Sequence, residues 1–317
     1  ALALNTTGAS NTAVGKGALD ANTTGNSNVA VGTDALTANT TAAGNIAIGV
    51  GALRVTTTGS ENTGIGDGTM AANVAGANNS AYGAQTLAAN TSGGSNTAIG
   101  GYSLNDNTTG ANNTACGALA LDANTTASNN TGIGYAALGA NTTGATNTAC
   151  GSLALTSATT GGVNTSIGYA ALTGVTTGTH NTGLGYASGQ TITTGSNNIA
   201  LGTNALNSGR PGGAVTTASN IIGIGNGDHT AAHIQIDWTV ASDERDKTDF
   251  TKLDLGLDFV KKLEPFTYRW DKRSKYSNKT PDGTHKEDWL DIGFKAQEVE
   301  VLEKEAGYKI ADKTNLT

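Results

Sequence analysis

The sequence predicts a mainly-β protein: a parallel β-roll or β-helix shaft on a 17-residue repeat, assembled as a trimer, then a small α+β domain. Three observations carry this. The phrase Asn-x-small-apolar-Gly starts at Asn11 and recurs at Asn28, Asn45, Asn62 and onward to Asn198, twelve copies without slippage. A fixed short period describes a chain that grows one coil at a time, each coil stacking on the last. Composition then changes near residue 230. Residues 1–230 carry ten charged side chains and neither Trp nor Phe, whereas Trp238, Trp270, Trp289 and all four Phe follow. Finally, each coil has only two sizeable apolar side chains. At ~1.5–3 kcal/mol apiece, they fall short of the ~1 kcal/mol or more per residue needed to order 17 residues. Three chains side by side supply the missing burial, so a homotrimer is expected.

Within one repeat, with Asn as position 0, positions 1 and 3 (Val29 and Val31, Ile46 and Ile48) share one face of an extended strand, and position 2 the other. Position 2 is Ala, Gly or Ser in all twelve copies. A solvent-facing column would drift among larger polar residues, so the strand is expected to be buried on both sides. Position 4 is always Gly, which suits a turn with positive φ. Positions 7 and 8, mostly Ala-Leu, are read as a second short strand, and Asn-Thr-Thr-Gly (Asn22–Gly25, Asn107–Gly110) as a second turn. The Asn column is expected to form a hydrogen-bonded ladder between coils. Ala1 and Leu2 occupy the columns of Ala18 and Leu19, so the chain is expected to open in mid-repeat. The register breaks at 207–219, where six residues are added before Ile221-Ile-Gly-Ile-Gly225 restores the phrase. This marks a terminal loop and cap.

Other features of the shaft have competing readings. Cys116 and Cys150 share position 3 two periods apart, roughly 10 Å at ~4.8 Å per coil, too far for an intrachain disulfide. They are read as small buried hydrophobes, with a contact across an oligomer axis as the alternative. The Asn-x-Thr triplets match a glycosylation sequon, but turn chemistry accounts for them. Tyr135, Tyr169 and Tyr186, all at position 5, either pack over the turn or form a sugar-stacking receptor platform. Asp20, Asp34, Glu61, Asp67, Asp106 and Asp122 are scattered over different columns, so the carboxylate pair of a glycosidase is not expected within one chain. His229 and His233 have i, i+4 spacing, but the local pattern reads as strand and no third ligand accompanies them. No metal and no cofactor is expected. The mildly acidic balance gives no nucleic-acid footprint, and no apolar run reaches a membrane span.

The phrase N-x-A-I-G-x-x-A-L resembles the head repeats of trimeric autotransporter adhesins. That resemblance implies an intimate trimer of left-handed parallel β-rolls over residues 1–206, although the period here is longer than is usual there. Beyond the shaft, three phrases occur in order: Ser242-Asp-Glu-Arg-Asp-Lys247, Leu263-Glu-Pro-Phe-Thr-Tyr-Arg-Trp270 and Gly293-Phe-Lys-Ala-Gln-Glu-Val299. Together they resemble the intramolecular chaperone of phage tailspikes and tail fibres, the endosialidase-chaperone or S74 peptidase family. The resemblance implies that residues 242–317 assemble the trimer and then cut themselves off at Ala241–Ser242, with Ser242 as nucleophile and Lys247 as its base. Residues 207–241 then form the terminal loop, cap and linker. Two features depart from the family: Asp246 stands where an apolar residue is usual, and the chain stops at Thr317 before the closing helices. Leu253, Leu257, Val260 and Leu263 mark one helix ending at Pro265, and Val299, Leu302 and Ala306 another ending at Gly307.

The resemblance thus implies an extracellular virion component, a tail fibre or tailspike. Its expected partners are its own copies, a host cell-surface glycan or receptor, and other virion tail proteins, with no nucleic acid and no membrane insertion. Two alternatives share the repeats. A cell-surface trimeric adhesin would end in a membrane barrel, and a glycan depolymerase would need carboxylates paired between chains.

Overall fold

The structure, a computed structural model, describes residues 1–207, 213–229, 257–269, 271, 283–284, 286, 288 and 290–305. The chain divides into two compact units, Ala1–His229 and Thr230–Thr317. The first is a β-solenoid. Thirteen three-residue strands, from β1 (Thr12–Val14) to β13 (Ile222–Ile224), form one parallel sheet in strict chain order. Each strand pairs with the equivalent residues of the next coil, as in Val29↔Ile46 and Ile46↔Thr63, so the sheet register is the sequence period itself. The last pairing, Ile199↔Ile222, spans 23 residues and absorbs the six-residue insertion without disturbing the register.

The expectation of two strands per coil is corrected: each coil has one. The Ala-Leu segment opposite the strand is a turn whose Leu has left-handed backbone torsions, for example φ 50° at Leu36 and 53° at Leu121. That conformation costs a bulky L-residue roughly 1–2 kcal/mol. Complete burial of the same side chain contributes ~1.5–3 kcal/mol, which offsets it. Leu19, Leu36, Leu53, Met70 and their successors to Leu172 form one continuous buried column. One coil swaps the pattern. Gly189 takes the Leu position and Ile192, three residues on, fills the volume; a Cβ at Gly189 would meet Ile192 Cδ1.

The assignment of faces is corrected too. Position 2 points inward, against the Leu column: Ala30, Ala47, Ala81 and Ala98 have no exposure. Where the residue is Gly64, an added Cβ would meet Met70 Cε at 3.1 Å and Leu53 Cδ1 at 3.4 Å. The small side chain is therefore required by the chain's own core. Position 3 points outward, with Ile65, Ile99 and Ile167 about two-fifths exposed. The strand is buried on one side only.

Amides hold the two inner corners. In the predicted column, the Asn45 Oδ1 accepts from the Asn62 backbone N–H at 3.0 Å, and the Asn45 side-chain amide donates to the Gly59 carbonyl at 2.9 Å. A second, unanticipated ladder runs through the Asn of Asn-Thr-Thr-Gly. The Asn107 amide donates to Asn90 Oδ1 at 2.9 Å and to the Gly110 carbonyl at 3.0 Å. These amides are wholly buried and engaged, so the sequons at Asn22, Asn39, Asn90, Asn107, Asn124 and Asn141 serve as structure and not as glycan acceptors.

In the second unit, α1 (Leu257–Val260) precedes β14 (Phe266–Tyr268), and β15 (Asp291–Gly293) leads into α2 (Ala296–Glu305). Among the described residues the helix expected around Leu257 and Val260 covers Leu257–Val260, and Leu253 lies outside them. Helix α2 carries Val299 and Leu302 as expected, while Ala306 and Gly307 lie outside the description.

Candidate functional site

Two of the three C-terminal phrases come together in this second unit. β14, from the Leu-x-Pro phrase, pairs antiparallel with β15, the start of the Gly-Phe phrase, in the register Phe266↔Gly293, Thr267↔Ile292 and Tyr268↔Asp291. Gly293 lies under the Tyr268 ring, where an added Cβ would be 3.2 Å from Tyr268 Cε1. The Lys295 ammonium sits 4.0 Å above the Phe266 ring and 2.7 Å from Glu298 Oε1. It bridges the sheet and the first turn of α2. An apolar cleft of about 430 Å³ lies alongside, bounded by Leu263, Phe294, Val299, Val301 and Leu302. Ser242, Lys247 and Ala241 all lie outside the described residues, as does Asp246.

Residues 242–308 match the family model of the chaperone of endosialidase, Peptidase_S74. No curated protein and no solved structure matches the chain. An endosialidase-chaperone segment behind a β-solenoid of 17-residue coils fits a tail fibre or tailspike with a C-terminal chaperone. The chaperone match supports a trimeric shaft. No helix among the described residues is long and apolar enough to cross a membrane.

On the shaft, Tyr135, Tyr169 and Tyr186 are each about half exposed. The structure brings two of them together. The Tyr169 and Tyr186 rings stack with centroids 5.4 Å apart and planes 12° apart, whereas Tyr135 stands two coils earlier, separated by Ser152. The two rings stack on each other between neighbouring coils, and their outer faces and edges are left to solvent.

The reading of scattered carboxylates needs a correction. Asp106 and Asp122 lie on adjacent coils, with the Asp106 backbone N–H donating to the Asp122 carbonyl at 3.0 Å. Burial, and secondarily the Asp106 charge, raise the Asp122 carboxyl above the ordinary carboxylate range. The column argument missed the pair because the ladder on this side steps one position per coil, linking position 10 to position 9.

The cysteine reading is also corrected: Cys116 and Cys150 are free and exposed. They lie in β7 (Thr114–Cys116) and β9 (Thr148–Cys150), in the outward column of the sheet. At the end of the solenoid a polar cleft of about 450 Å³ is lined by Gln190, Thr191, Asn204, Asn207, Asn226, Gly227 and Asp228. His229 Nδ1 accepts from the Asn226 backbone N–H at 3.0 Å, and His233 lies outside the described residues. Among the described residues no group of three or more His, Cys, Asp or Glu is placed to hold a metal ion.

Proposed function

We propose that the chain is the host-contacting shaft of a phage tail fibre or tailspike, a homotrimer whose C-terminal segment directs assembly and then severs the Ala241–Ser242 bond. The observation that carries this is the chaperone-of-endosialidase match directly behind a solenoid. In this reading Ser242 attacks the carbonyl that precedes it. Lys247, acting as the neutral amine, takes the hydroxyl proton. The acyl group of Ala241 passes from the Ser242 nitrogen to its oxygen, and that nitrogen leaves protonated as a new amine. Water then hydrolyses the ester, giving a carboxylate at Ala241 and a free N-terminal Ser242. The reaction turns over once per chain and needs no cofactor.

A role at the host surface rests on the exposed tyrosines, with Tyr135 and the Tyr169–Tyr186 stack offered to a saccharide face. The test of processing is a denaturing gel of the freshly synthesised chain beside Ser242→Ala and Lys247→Ala. The wild type should give a shaft fragment ending at Ala241 and a smaller C-terminal fragment, and both variants a single band. An intact wild-type chain, or equal cutting in Ser242→Ala, overturns the assignment.

A further inference from the structure

The outward face of the solenoid sheet is unlike the rest of its surface. Its two columns, positions 1 and 3, hold 26 residues over the thirteen strands, and none of them is charged. Charged residues of the coils fall elsewhere: Lys16 and Asp67 at position 5, Asp34 at position 6, Asp20, Arg54, Asp106 and Asp122 at positions 9 and 10, and Glu61 at position 16. Position 1 is mostly Thr, while position 3 is Val, Ile, Leu, Tyr or Cys in every coil. That column is solvent-exposed along the sheet, from Val14 at 59% through Ile99 at 43% to Ile224 at 62%. Monomeric proteins rarely expose a contiguous apolar patch beyond a few hundred Å². At about two-fifths exposure, this column alone leaves on the order of 900 Å² of apolar side chain open, comparable with the ~800 Å² per partner that a stable interface buries.

We infer that the strand face, positions 1 and 3 of every coil, is the seam where copies of this chain meet, and that Cys116 and Cys150 line it as two tiers of thiols. This rests on the homotrimer reading and says which face carries it. Only another copy repeats at the same coil spacing over the full length, so that each outward Ile, Val or Leu meets an equivalent residue around a symmetry axis. The two thiol tiers lie two coils apart, close to 10 Å at ~4.8 Å per coil. Each tier gathers equivalent thiols from neighbouring copies.

The native thiols test this without adding a probe. The full chain, whose mass is first measured by sedimentation, is treated with a short bis-maleimide and run on a denaturing gel. A trimer seamed on this face links one pair of chains per tier, and the third thiol of each tier is capped singly. If the two tiers choose pairs independently, about two in three assemblies run as a covalent trimer and the rest as dimer plus monomer. A control in the Cys116→Ser/Cys150→Ser background carries Asp106→Cys, on the turn side of the coil away from the strand, and should stay at single-chain size. A trimeric mass with unlinked native thiols, or with linking only through Asp106→Cys, overturns the seam while leaving the trimer standing. A single-chain mass overturns both.

Discussion

The buried amide ladders turn single residues into predictions. Of the second Asn column, Thr56 is the one interruption before coil nine, and the column ends where Ala158, Val175 and Ile192 replace the amide. The two buried Asn oxygens left without a partner sit at those places: Asn39 Oδ1 faces the Thr56 coil, and Asn141 Oδ1 faces Ala158. Thr56 instead donates its hydroxyl to the Asn73 carbonyl at 2.9 Å. Thr56→Asn should rejoin the ladder on both sides and raise stability by about 1 kcal/mol, read as a higher denaturation midpoint of the shaft. In mid-ladder, Asn107→Ala should cost about 2–3 kcal/mol, because it strands Asn90 Oδ1 and removes an acceptor for the Asn124 amide. An equal effect at the two sites would contradict the ladder account. Asp122 gives a pH dependence of known sign. A raised native carboxyl pKa means that the folded state holds its proton more tightly than the unfolded state. Stability therefore falls as pH rises from the ordinary 3.8 through the raised value, and stays lower at neutral pH. Asp122→Asn should stabilise the shaft at pH 7, and the advantage should vanish as pH drops below that window. A gain that persists at pH 3 would contradict it.

At the scale of one coil, some features were legible in the sequence and others were not. Period, strand position, Gly turn and first Asn ladder follow from spacing, since a 17-residue repeat can pair in only one register. The inner and outer faces do not. Alternation separates position 2 from positions 1 and 3 without saying which is inside, and the larger apolar residues of position 3 suggested a core. The structure turns them out because the Leu of the opposite wall already fills the interior, leaving room only for Ala, Gly or Ser beside it. The second strand failed for a related reason. A left-handed Leu is disfavoured locally, and only the tertiary burial of its own side chain sustains it. The Gly of position 4 is constrained from both directions: Gly117 has φ 140°, and an added Cβ would collide with the carbonyl of Gly134 in the next coil. Gly117→Ala should therefore cost about 2–3 kcal/mol or more, seen as a lowered unfolding midpoint. A neutral result would show that the coils slide apart more easily than this stacking allows.

For the whole molecule, the same correction strengthens one expectation by reversing its argument. The small residues of position 2 serve each chain's own core, so they carry no argument for a partner. What remains uncovered is the larger apolar column, and that surface calls for a partner. The C-terminal phrases were readable because their residue types sit together, and the structure shows why two of them co-occur: they pair as β14 and β15, with Gly293 under Tyr268. A charge placed on the seam separates folding from assembly. Ile133 is 41% exposed in the single chain, so Ile133→Asp should leave the coil folded by circular dichroism while weakening association by an order of magnitude or more. Loss of folding together with association would count against a seam role for that residue. The most direct test of the whole account is the mass of the shaft in solution. Sedimentation equilibrium on the full chain should return three chains per particle across the accessible concentration range. A single-chain mass at those concentrations would contradict the account of a trimeric shaft assembled by its own C-terminal segment.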